Sequence, residues 1–302
     1  MNSNILLSTK ASAPGTLMLL GEYAVLGGSS ALVLTLKSKI TVLTSKSQNF
    51  AVYSDRFSCY KDGDITVPKH VLLIKEIINC FYEYYSIIPK EKLEIKIKSE
   101  INPNLGFGSS AALNAALVKS MAKLYQLPFN FNKLFNIGYK ALLKIYKRGS
   151  GVDLAAALSN YPVAFVNSSK DVKKFSFPFF VSAIYTGYKT PTPLVLEHVW
   201  NSTTKDFRNN IFTKMKNIVS SFITSPSLQS IVQYQNLLKK LGIICNRLKK
   251  ALAKGSNIAS KISGSGLGDC VVIFSKSELS LNELQLLVPA QEKFIYFTNK
   301  EL

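Results

Sequence analysis

GFGSSAA (residues 106–112) stands between an alternating stretch, LEIKIK (93–98), and an alanine-rich run, AALNAALVKSMAKLY (111–125). The alternation is that of a half-buried strand, and the run after it predicts a helix beginning near Ser109. Glycine permits turns closed to other residues and lets the backbone approach a ligand closely. The first turn of a helix presents unpaired N–H groups and the positive end of its dipole. Together these predict an anion cradle suited to phosphate, with Ser109 or Ser110 capping the helix and the other hydroxyl left for a phosphate oxygen or Mg²⁺. From these seven residues alone an ordinary Gly-Ser turn before a capped helix reads equally well. No lysine follows the second glycine, so this is not the GxxxxGK[ST] loop.

Outward from the loop, HVLLIKEIINCFYEYY (70–85) has a helix-spaced apolar stripe at 71, 74, 77, 78 and 81. KLFNIGYKALLKIYK (133–147) reads as another helix, ended by RGSG, and LAAAL after Asp153 as a short one. Two apolar segments in 17–45, joined through GGSS, read as strands, as do 161–167 and 176–187. Polar helical material fills 195–255; then come a strand, a glycine-rich turn and a strand in 256–275, and a last strand in 292–299. Strands and helices without steady alternation predict an α+β fold. The small-residue helix gives way to aromatic strands near 160–170, which predicts two domains, 1–165 and 166–302.

A chain of 302 residues, 47% apolar and 18% charged, has the composition of a globular protein with a sizeable core. No stretch approaches the roughly 18 apolar residues of a membrane span. No basic segment precedes the first apolar run and Glu22 interrupts it, so a cytoplasmic location is expected. Cysteines 59, 80, 245 and 270 form no CxxC pair, which argues for reduced, mostly buried thiols rather than zinc or disulfides. The net charge of +19 rests on 33 Lys and only four Arg (56, 148, 208, 247). Base readout favours Arg forks, so the composition argues against a nucleic-acid partner and for phosphate-bearing ligands or drift toward lysine.

APGTLMLLGEYAVLGG (13–28), the loop at 106–112 and KISGSGLGDCVVIF (261–274) occur in the order that marks one family. The set resembles the GHMP small-molecule kinases, whose signatures run APGK-x-x-L-x-GE, GLGSSAA and GAGxGxC. The resemblance spans nearly the whole chain. It implies an N-terminal domain with a left-handed βαβ unit, a ferredoxin-like C-terminal domain, and transfer of the ATP γ-phosphoryl to a small alcohol or phosphate. It assigns Gly106, Phe107, Gly108, Ser109, Ser110 and Ala111 to ATP, and Ser110 to Mg²⁺. Thr16, Ser150, Gly151, Gly264 and Gly266 fall on the substrate and phosphate side. Asp153, in GSGVDLAAA (149–157), takes the place of the family's Asp that serves as base or orients the acceptor; without the family it reads as a charge complement to a helix start.

The family's Lys in APGK is Thr16 here, whose hydroxyl brings a hydrogen bond but no charge. Lys189, in YTGYKTPTP (185–193), is the expected replacement cation, with Lys144, Lys147 and Arg148 as competitors. Mevalonate kinases carry a Mg-binding Glu eleven residues before the base Asp, where this chain has Leu142. That absence, the Gly268-Asp269-Cys270 run and the GSGVDLAAA form resemble phosphomevalonate kinases. The implied acceptor is phosphomevalonate, with mevalonate as the alternative, and a nucleotide-binding regulatory protein with little turnover as a second class. Glu22 is expected to pin the first hairpin through hydrogen bonds, and Asp269 to hold the glycine-rich turn. No membrane partner is expected, and a homodimer stays open.

Overall fold

The computed structural model describes residues 8–56, 58–147, 149–166, 168–252, 257–288 and 294–302. The chain forms two compact units that interleave along the sequence. One takes residues up to Thr16, Lys37–Pro103 and Gly108–Asn160; the other takes Leu17–Leu36, Asn104–Phe107 and Tyr161 onward.

In the first unit lie most of β1 (Ser8–Leu20), the later part of β2 (Ala31–Ser47), β3 (Ala51–Ser54) and β4 (Tyr60–Lys61), followed by α1 (Lys69–Tyr85) and β5 (Lys92–Ser99). Three helices complete it: α2 (Ser109–Leu124), α3 (Phe131–Tyr146) and α4 (Val152–Ser159). The strands run β4-β3-β5-β2, and β1 also pairs with β2. β5 is antiparallel to β2, from Ile40 opposite Ser99 to Ser47 opposite Lys92, and parallel to β3. The parallel pair is joined through α1, a βαβ crossover.

Local chemistry accounts for these elements. Leu93, Ile95 and Ile97 of β5 are buried while Lys96 and Lys98 face outward, as the alternation requires. On α1 the predicted stripe of Val71, Ile74, Ile77, Ile78 and Phe81 is buried. α2 is buried on nearly every face, which explains its alanines: small side chains let α1, α3 and α4 pack close around it. α4 ends on Asn160, held at φ 60°, a conformation that Asn tolerates.

The second unit holds β6 (Val163–Val166) and β7 (Asp171–Lys174), with the opening of β2 paired to β6. It continues with β8 (Phe180–Tyr185), α5 (Thr192–Ser202), α6 (Lys205–Thr224), α7 (Leu228–Lys240) and α8 (Asn246–Ala251). β9 (Ile258–Ser263), β10 (Cys270–Ser275), α9 (Leu281–Leu286) and β11 (Ile295–Phe297) close the chain. The antiparallel order β11-β8-β10-β9, with helices after the first and third strands, is the ferredoxin-like arrangement. The fold is α+β, as the unsteady alternation of elements predicts. β8 starts at Phe180 rather than 176, because Pro178 has no N–H for a ladder.

Lys261, on β9, is fully buried, and its ammonium lies 2.5 Å from Glu22 Oε1, itself buried. Tyr234 OH donates to the Glu22 carbonyl at 2.7 Å. Burial pushes the Glu22 carboxyl up and the Lys261 ammonium down, and each is held partly back by the other. The expectation for Glu22 is thereby amended: its carboxylate keeps a backbone hydrogen bond within the first hairpin, but its charge is paired by a lysine more than two hundred residues away. Cys80 and Cys270 are buried, Cys245 is half-buried and Cys59 is exposed; all four are free thiols, so the expectation of mostly buried ones holds for two. Among the described residues no helix is long and apolar enough to cross a membrane.

Candidate active site

The loop at 106–112 delivers the chain into α2 of the first unit with Gly108 as its N-cap, at φ 65° and ψ 25°. No side chain caps the helix. This corrects the serine-cap expectation, for a simple reason of register. The helix begins at Ser109, so Ser109 and Ser110 occupy the first two helical positions, beyond the place from which a hydroxyl reaches back-turned N–H groups. Left without a side-chain cap, the first-turn amides are available to an anion.

Gly108 is required on two grounds. Its φ lies in the left-handed region, and a Cβ there would fall 1.9 Å from Thr16 Oγ1. Thr16, buried along β1, donates from that hydroxyl to Asp153 Oδ1 at 2.8 Å. Asp153 stands in the first turn of α4, behind Gly151 as N-cap, where a carboxylate complements the helix dipole. Ser150 Oγ accepts a long hydrogen bond, 3.5 Å, from the Val152 amide in the same turn. The first motif, the glycine loop and the aspartate therefore meet at one place, although Thr16 and Asp153 are 137 residues apart. Replacing Gly108 by Ala should destabilise the protein by about 1–2 kcal/mol from backbone strain alone. It should also push Thr16 off Asp153, so binding of an ATP analogue and the unfolding midpoint should both fall in the variant.

In the second unit the glycine-rich turn between β9 and β10 ends on Asp269, buried and at φ 65°. Its carboxylate packs where glycines leave room. A Cβ on Gly106 would lie 2.8 Å from Oδ1, and one on Gly264 would lie 3.4 Å from Oδ2. Lys189 Nζ is 3.8 Å from Oδ1. Burial raises the Asp269 carboxyl above its ordinary range, and the Lys189 charge opposes that rise. The 186–190 segment is fastened to the turn: the Asp269 amide donates to Tyr188 O at 2.8 Å, and Thr190 Oγ1 to Leu267 O at 2.5 Å. Asp269 thus holds the turn as expected, and faces Lys189 as well.

Other expected residues divide by role. Phe107 is buried against Phe297, ring centroids 4.8 Å apart, so its ring anchors the loop and its backbone is what the loop can offer a ligand. Ser109 is half-buried, Ser110 exposed and Ala111 buried. Gly266 lies on Ile243, where a Cβ would come within 2.8 Å. Lys144 is occupied with Glu76 at 2.7 Å and Glu83 at 3.8 Å on α1. Lys147 closes α3 in the left-handed conformation, and Arg148 lies outside the described residues. Sequence reasoning missed Lys119 and Lys261, two buried lysines whose acceptors lie far along the chain. Nothing in their local sequence sets them apart from the other 31 lysines.

Residues 72–161, which include the 106–112 loop and Asp153, match the GHMP kinases N terminal domain. Mevalonate kinase of Archaeoglobus fulgidus is 24% identical over 275 residues, covering 89% of this chain and 93% of that one. Through this N-terminal match and this relative the chain is similar to the GHMP kinases. Its fold is that of Methanococcus jannaschii mevalonate kinase, with a TM-score of 0.75 at 18% identity over 99% of this chain and 98% of that one. It is equally that of Streptococcus pneumoniae phosphomevalonate kinase in complex with phosphomevalonate and AMPPNP, with a TM-score of 0.76 at 21% identity over 93% and 95% of the two chains. Thr16, standing where the family's motif has lysine, spends its hydroxyl on Asp153.

Proposed function

We propose that this protein is a GHMP kinase of the mevalonate pathway, transferring the γ-phosphoryl of ATP to phosphomevalonate. The observation that carries the kinase chemistry is the meeting of Thr16, Gly108 and Asp153. A glycine cradle at a helix start supplies fixed N–H donors for phosphate oxygens, and phosphoryl transfer depends on such positioning more than on covalent help. The cradle fits a nucleotide tail, since no side chain caps the first-turn amides of α2. Among the described residues no three His, Cys, Asp or Glu side chains stand together as a metal cage. Mg²⁺ would come with the nucleotide, touch Ser110 and neutralise phosphate oxygens.

The acceptor oxygen forms the new bond to the γ-phosphorus as the bond to the β-phosphate oxygen breaks and ADP leaves. Asp153 takes a proton from that oxygen when it carries one, and orients the acceptor otherwise; Thr16 keeps the carboxylate turned toward it. A hydroxyl acceptor must surrender its proton in every turnover. A phosphate acceptor, with a second pKa of about 6, arrives mostly ionised at neutral pH.

Support for a phosphorylated acceptor is the absence of a carboxylate at Leu142 and the Asp269-Cys270 pair after the glycine turn. Lys189, half-exposed beside Asp269, is the cation proposed for the acceptor's own phosphate. The sequence relatives are mevalonate kinases, which favours mevalonate as the second reading. ADP release measured with mevalonate, phosphomevalonate, galactose and homoserine decides between them. Measurable ATP binding with no ADP from any acceptor would show a regulatory protein instead. Lys189→Ala should raise KM for phosphomevalonate about tenfold or more and leave mevalonate nearly unchanged, the scale of one charge-assisted contact. Equal losses with both acceptors would move Lys189 to the transferring phosphoryl group.

A further inference from the structure

We propose that Lys119 is a positioning residue that sets the depth of Asp153 relative to the phosphate cradle. The proposal rests on the assignment of Asp153 above. Three elements of the first unit meet at the site: β1 carries Thr16 along its length, α2 opens on the glycine cradle, and α4 opens on Asp153. Each pair is tied by side-chain hydrogen bonds. Thr16 joins β1 to Asp153 on α4. Ser120 Oγ donates to Thr9 O at 2.9 Å and Thr9 Oγ1 to Ser120 O at 2.7 Å, which joins α2 to β1. Lys119 closes the ring between α2 and α4: its ammonium donates to Ala157 O and to Asn160 Oδ1, both at 3.1 Å.

Ala157 is in the last turn of α4, where carbonyls lack intrahelical partners and a cation complements the dipole. Asn160 serves twice, as the left-handed cap of the helix and as the second acceptor. α4 is only eight residues long and behaves as a rod, so a shift at its C-terminal end moves Asp153 at the other. A displacement of about 1 Å at a reacting group can cost on the order of 10²-fold in rate.

Lys119 is a costly choice for mere space-filling. Burial drives its ammonium down to about 8, with Lys123 adding repulsion, whereas a methionine would fill the same volume without charge. What methionine lacks is the pair of directed donors.

The test compares Lys119→Met, Asn160→Gly, their double variant and Asp153→Asn by kcat, KM for ATP, and urea unfolding. Glycine accepts the positive φ at 160, so that variant removes the acceptor and keeps the cap. Lys119→Met should lower kcat roughly tenfold or more with KM for ATP nearly unchanged. Asn160→Gly should lower kcat less, and the double variant should be no slower than Lys119→Met, because both changes cut one tie. A merely structural role would lower the unfolding midpoint and leave kcat of the folded fraction alone. Wild-type kcat in folded Lys119→Met and Asn160→Gly overturns the proposal, and if Lys119→Met does not fold, Asn160→Gly decides alone. A slow Asp153→Asn beside normal tie variants would discard only the tie. An active Asp153→Asn would discard the reading of Asp153 itself.

Discussion

Asp153→Asn lowers kcat on the order of 10²-fold or more, the scale of a lost acid–base group, with the KM for ATP little changed. Asparagine keeps the size of the side chain and can still meet the Thr16 hydroxyl, so the loss is one of charge and basicity rather than of packing. The two candidate acceptors separate here. With mevalonate the attacking hydroxyl must give up its proton in every turnover, and the loss should be the larger. With phosphomevalonate the residual rate of the variant should climb as pH rises through about 6, because the acceptor then loses its last phosphate proton unaided. Initial rates from pH 5 to 8 with both acceptors check this. Near-normal turnover in Asp153→Asn would remove the residue from the mechanism.

The largest stability effect is expected at Lys261. Among the described residues Lys261→Met strips the only ion-pair partner of the buried Glu22 carboxylate, leaving it backbone hydrogen bonds. Breaking a buried pair from one side costs about 3–5 kcal/mol. For a chain of this size that is roughly 10 °C in the unfolding midpoint. The sign of the pH dependence follows from Glu22. Burial raises its carboxyl in the folded state, and removing Lys261 removes the main influence holding it down. A carboxyl raised on folding binds its proton more tightly in the native chain, so stability is lost as pH rises through its folded pKa. The deficit of Lys261→Met should therefore be smaller at pH 5 than at pH 8. Replacing both residues, as in Glu22→Leu with Lys261→Met, should recover most of the loss, since neither charge is then stranded. Unfolding of Lys261→Met indistinguishable from the parent at both pH values would show that the pair carries no charge.

Much of the fold and part of the site were legible in the sequence. The stripe on α1, the alternation on β5 and the helix entered after Gly108 are local signals, because periodicity and glycine placement act over a few residues. The register of the α2 start was not legible to one residue, and that one residue changed the serines from caps to first-turn positions. The three motifs could be recognised in order, yet nothing in them states that the threonine standing where the family has lysine would bond the aspartate. Lys144 looked as available as any lysine until α1 brought Glu76 against it.

By itself the sequence determined the longer helices and strands, where a phosphate cradle can form, and that Asp153 begins a helix, but not the short strands β3, β4 and β7. Only the tertiary structure decided which polar groups meet: Thr16 with Asp153, Lys119 with the end of α4, Lys261 with Glu22. The physical reason is that a buried polar group must find its partner wherever packing brings one, and packing joins residues whose separation along the chain leaves no local trace.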